Sequence, residues 1–105
     1  MFQLRVYTLR SASALDRYAE LHWARHIGSL EAFGVETRGI WTSRDGGENR
    51  LFALVSYEDG ADAAKVETEY LASSALAEDM AGFDPRDIVD VTSVLLDPTP
   101  SSPTR

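Results

Sequence analysis

Apolar positions in this chain switch between a period of two and a period near 3.6, and the switches divide it into six segments. Residues 2–9 alternate, with Phe2, Leu4, Val6 and Thr8 on one face and Gln3, Arg5, Tyr7 and Leu9 on the other. That is a strand. From Ala14 to Phe33 the spacing turns helical, with Leu15, Tyr18, Ala19, His22, His26 and Leu30 on one side. Ser13 is placed to cap this helix, and Gly34 to stop it. Val35 to Arg44 is a second strand and Leu51 to Tyr57 a third, joined by a hairpin turn at Asp45-Gly46-Gly47-Glu48-Asn49. Ala61 to Met80 is helical, with a kink expected at Ser73-Ser74, and Ile88 to Leu96 is the last strand. Residues 1–97 therefore make one domain, and 98–105 a flexible Pro/Ser-rich tail.

The order βαββαβ predicts an α+β, ferredoxin-like fold: a four-stranded antiparallel sheet with two helices on one face. The other face should then be polar. It is not, because the third and fourth strands put apolar residues on both faces: Phe52 and Leu54 against Leu51, Ala53 and Val55, and Val89, Val91 and Leu95 against Ile88 and Val94. A second copy packed sheet to sheet would bury the surplus, giving a dimeric α/β barrel with Val55 in the interface and Trp23 as an anchor beside the helix stripe.

Composition narrows the function. Apolar residues are 44% and charged residues 26%, as in ordinary globular domains. The net charge is −7 and is uneven, since residues 1–44 sum to +2 and residues 45–105 to −9. With a single lysine there is no basic cluster for nucleic acid or an anionic membrane. No apolar run spans a bilayer, and the first residues read as strand, not as a leader. The absence of cysteine excludes disulfides, thiolate zinc and a cysteine nucleophile. Together these features predict a cytoplasmic protein.

The candidate chemistry lies in few residues. His22 and His26 are the only histidines, four apart on the first helix and so on one face. Two readings stand: an acid–base pair, or core histidines satisfied by backbone or carboxylate. No Glu of a His-Glu-x-x-His motif and no third ligand accompany them, so no metal or nucleotide cofactor is expected, although two histidines leave heme ligation open. Arg5 and Tyr7 are placed on the sheet face away from the helices, with Asp90 and Thr92 of the fourth strand beside them. An Arg5–Asp90 pair would be structural, whereas a free Arg5 would hold an anionic or enolate oxygen with Tyr7 as a donor. Trp41 and Tyr57 are packing residues or the aromatic wall of a ligand cavity. No serine-hydrolase elbow or phosphate loop is present.

Three short stretches resemble one family. Arg5-Val6-Tyr7-Thr8-Leu9-Arg10 is similar to the opening R-x-Y-x-L strand of NIPSNAP-like proteins, Gly39-Ile40-Trp41-Thr42-Ser43 to their G-x-W-T segment, and Asn49 to Tyr57 to their Asn-led third strand. The resemblance covers residues 2–95 and implies a homodimeric ferredoxin-like fold. It leaves activity undefined. Related barrels include cofactor-independent monooxygenases, heme-degrading enzymes and cyclases or isomerases of secondary metabolism, which is analogy by fold alone. The reading that follows is a cofactor-independent enzyme acting on a hydrophobic or aromatic, polyketide-like ligand. In it His22, His26, Arg5 and Tyr7 do chemistry, and Trp41, Tyr57, Asp90 and Thr92 hold substrate. The alternatives are a non-catalytic binding or accessory dimer and a structural dimer.

Overall fold

A computed structural model describes residues 1–45 and 47–105. Four strands, β1 (Phe2–Leu9), β2 (Val35–Thr42), β3 (Asn49–Tyr57) and β4 (Ile88–Leu96), form one antiparallel sheet in the order β2-β3-β1-β4. Helices α1 (Ala12–Arg17) and α2 (Trp23–Glu31) follow β1, and α3 (Ala63–Leu71) and α4 (Ser74–Asp79) follow β3. This is the ferredoxin-like α+β arrangement expected from the residue pattern. The expected hairpin turn includes Gly46, which lies outside the described residues.

Two helices differ from expectation in instructive ways. The first begins earlier, capped by Ser11, whose Oγ accepts from the Ala14 N–H at 3.1 Å; Ser13 is not the cap. A π-helical turn, Tyr18–His22, interrupts it, closed by the Trp23 N–H donating to the Tyr18 carbonyl. The wider turn brings positions four and five residues beyond Tyr18 to one side. His22 and Trp23 are consequently both sealed, at 0% and 1% exposure. Trp23 is a core residue, not an anchor beside the stripe. The second helix is broken at Ser73, whose hydroxyl caps α4 and also donates to the Tyr70 carbonyl.

The helices cover the face carrying Arg5, Tyr7 and Leu9 of β1 and Leu51, Ala53, Val55 and Tyr57 of β3. Arg5 and Tyr7 therefore lie beneath the helices, opposite to the expected face. Tyr7 fixes the point, since its ring meets Tyr18 edge to face at 5.3 Å and Trp23 at 6.2 Å. Val55, fully buried, belongs to this core and not to a dimer interface.

The register also relocates β4. Tyr7 pairs with Val91 and Arg5 with Ser93, while Thr8 pairs with Asp90 and Val6 with Thr92. Directly paired residues share a face. Asp90 and Thr92 are thus on the bare side, away from Arg5. A bulge after Thr8 sets Ile88 opposite Leu9, so Ile88 joins the helix side and packs on the core. The bare side carries Leu4, Val6, Phe52, Leu54, Val94 and Leu96. Pro98, Thr99 and Ser102 line a shallow hollow on that side together with Phe2, Leu54 and Leu96.

Candidate functional site

A cavity of about 570 Å³ lies between the helices and the β1–β4 half of the sheet. Its walls are mostly apolar and include Trp23, Leu30, Met80, Phe83, Ile88 and Val91, with Arg5, Tyr7, Tyr18, His26, Glu67 and Tyr70 supplying polarity. Leu71 and Val91, 57% and 51% exposed, mark its mouth.

The two histidines take different roles. His22 Nδ1–H donates to the Asp79 carbonyl at 2.8 Å, and the ring packs edge-on against Phe83 at 4.9 Å. It does not line the cavity, and its Nε2 is buried with no hydrogen-bond partner among the described residues. Arg25 donates to the same carbonyl, so both side chains satisfy the end of α4 and hold it against α2.

His26 does line the cavity. Its Nδ1 lies 2.5 Å from the Tyr70 hydroxyl and 3.3 Å from Asp79 Oδ2. The Tyr70 hydroxyl donates to the same carboxylate oxygen at 2.7 Å, and Ser29 donates to Oδ1 at 3.0 Å. The single Tyr70 proton goes to Asp79 Oδ2, so the Tyr70 oxygen accepts from His26 Nδ1–H. The chain Asp79–Tyr70–His26 thereby fixes the tautomer and leaves Nε2 as a lone pair. Burial holds the Tyr70 hydroxyl far above its ordinary pKa, which keeps it a donor. Burial lowers the pKa of His26 below the ordinary 6.5, with Asp79 pulling the other way, so the ring is neutral at pH 7.

This shift has a consequence for stability. The folded state binds fewer protons at His26 than the unfolded chain, so its contribution is complete above pH ~6.5 and declines as pH falls below that value. Thermal melts should show Tm falling between pH 7 and pH 5 in the native chain. His26→Gln should flatten that dependence, and an unchanged slope would contradict the assignment.

Arg5 enters the cavity from the middle of β1. Its Nε donates to Gln3 Oε1 at 2.8 Å and Nη2 to the Tyr57 hydroxyl at 2.9 Å. Tyr57 donates its own proton to Gln3 Oε1 at 2.7 Å, closing the triangle. Burial works against the Arg5 charge, but Tyr7 and Tyr57 more than offset it and its pKa is raised.

Of the residues singled out in the sequence, His26, Arg5 and Tyr7 meet in this cavity. Tyr57 stands behind Arg5 and orients it. His22 lies outside the cavity lining. Trp41 pairs with Phe52 on the bare face, 53% exposed, its ring folded over Gly39 where any Cβ would collide with it. Asp90 and Thr92 are on that same side. Asp79, Tyr70, Ser29 and Gln3 escaped the sequence reading. Nothing local sets Asp79 apart from the other acids of residues 45–105, or Tyr70 from any other helix aromatic. Only Ser29, three residues beyond His26 on the same helix face, carried a local signal.

Fold and cavity together define a ferredoxin-like α+β domain with a largely apolar cavity, open at one side, between helices and sheet. The sequence profile of the NIPSNAP family matches residues 2–103, and the chain belongs to that family. Among solved structures, an uncharacterized NIPSNAP domain protein from Burkholderia xenovorans is 21% identical, covers 97% of each chain and superposes with a TM-score of 0.73. A NIPSNAP family protein of unknown function from Agrobacterium tumefaciens is 18% identical over 97% of this chain and 90% of its own, with a TM-score of 0.78. A NIPSNAP-like domain protein, also from Burkholderia xenovorans, is 24% identical over 97% and 87%, with a TM-score of 0.75. At these identities the likeness extends to the fold alone. No curated protein matches the chain.

Proposed function

We propose that this protein is a cofactor-independent acid–base enzyme acting on a hydrophobic or aromatic, polyketide-like carbonyl compound. The observation that carries this reading is the Asp79–Tyr70–His26 chain ending in a cavity. A neutral imidazole with its Nδ1–H engaged presents Nε2 as a base. Arg5 supplies a fixed cation for the oxygen that gains charge when a proton leaves the adjacent carbon. His26 takes that proton, the electron pair moves into the enolate, and reprotonation completes an isomerisation. Ring closure or elimination would proceed from the same enolate. Among the described residues no group of three His, Cys, Asp or Glu could hold a metal, and no step of this proposal calls for one.

A generic probe tests proton abstraction without knowledge of the natural substrate. 2-Tetralone is aromatic, apolar and readily enolised, and NMR in D₂O follows exchange at its α-carbons. The native protein should accelerate exchange well above buffer. Binding of 2-tetralone with no acceleration would favour the second reading, a non-catalytic small-molecule-binding dimer, which the same apolar chamber supports.

We also propose a homodimer. The edge strand β4 is exposed on both faces, with Val89, Val91, Val94 and Leu95 each between 49% and 55% accessible, and no Lys or Pro guards it. Trp41 and Leu96 extend the apolar surface over the bare face. A second copy packed on this face would cover it. No helix among the described residues is long and apolar enough to cross a membrane.

A further inference from the structure

We infer that the ligand of this cavity carries a carboxylate, making it an apolar acid whose anionic head pairs with Arg5. The inference names a substrate class for the proposed enzyme and rests on that reading for the cavity's role, but not on proton transfer. Arg5 is 7% exposed, and both of its internal hydrogen bonds go to neutral oxygens, those of Gln3 and Tyr57. Among the described residues it has no carboxylate within 4 Å, and its Nη1 takes no partner. The nearby acids are otherwise placed. Asp79 is taken up by Tyr70, Ser29 and His26; Glu67 lines the cavity without an ion pair to Arg5; and Asp90 is on the other side of the sheet.

The hydroxyl and amide partners of Arg5 hold its charge but supply no opposite charge, so an anion entering the apolar cavity meets an unneutralised cation. The Gln3–Tyr57 triangle orients the guanidinium in advance, which favours the planar geometry of a carboxylate. One cation balances one negative charge at rest, and a carboxylate set beside the enolisable carbonyl, as in a 3-oxo acid, lets the same guanidinium face both oxygens. A phosphate dianion would leave charge uncompensated beside Trp23, Phe83 and Ile88. The rest of the chamber accepts a hydrocarbon or aromatic body.

Two near-isosteric probes separate charge from shape: 2-naphthylacetate and 2-naphthylacetamide, titrated calorimetrically into the full chain at neutral pH. The acid should bind about 10- to 100-fold tighter than the amide, as expected for charge-assisted hydrogen bonds. Arg5→Gln should erase that preference and His26→Ala should keep it. Equal affinities in the native protein, binding of neither probe, or a preference that survives Arg5→Gln would overturn the inference. Should Arg5→Gln fail to fold, the Arg5 Nε–H resonance of the native protein decides: it should move with the acid and not with the amide, and an unmoved resonance overturns the inference. Failure of the 2-tetralone exchange with an intact acid preference removes proton transfer alone. The opposite result removes only the carboxylate.

Discussion

His26→Ala is expected to slow 2-tetralone α-exchange about 10²- to 10⁴-fold, the usual contribution of a positioned general base. The fold should persist, because the Tyr70 hydroxyl still donates to Asp79 and Ser29 still reaches the other oxygen. The informative control is His22→Ala. In the sequence the two histidines look equivalent, four apart on one face of the first helix. In the structure His22 lies outside the cavity lining and ties the π-helical turn to the last turn of α4. Removing a fully buried ring there should cost about 2–4 kcal/mol of stability through the hole it leaves and the lost hydrogen bond, while turnover per folded molecule stays within a few fold. Melts and exchange rates measured on both variants check this. Equal loss of activity in the two, with both folded, would contradict the division of roles.

Val55→Asp should unfold the chain outright. Val55 is fully buried beneath the helices, and an unpaired carboxylate there would exceed about 4 kcal/mol of destabilisation, a large part of the roughly 5–15 kcal/mol that holds a domain together. Leu54→Asp, one residue earlier, should behave differently. Leu54 points to the bare face and is only half buried, so the charge can reach water in a monomer but not between two packed sheets. Sedimentation should give twice the chain mass for the native protein and a folded single chain for Leu54→Asp. Circular dichroism should show lost structure for Val55→Asp alone. A native protein that sediments as a folded monomer would remove the dimer proposal.

That one-residue contrast also shows where sequence reasoning reached its limit. Alternation alone placed Leu54 and Val55 on opposite faces and placed Arg5 with Tyr7, because a strand has a period of two. It could not say which face the helices would cover, since both were apolar. Tertiary packing decided that. Tyr18 and Trp23, brought together by the π-helical turn, meet Tyr7, and this sets Arg5 inside the chamber.

Strand and helix order, the stop at Gly34 and the break at Ser73 were legible from the chain, because each depends on residues within a few positions of one another. The fold class followed from that order. Asp79 and Tyr70 reach His26 from more than forty residues away in sequence. Asp90 lost its place beside Arg5 because antiparallel register sets it opposite Thr8. Such pairings depend on how β4 slides along β1 and how α4 seats against α2. No local pattern encodes either, because both are set by the simultaneous burial of side chains from every element.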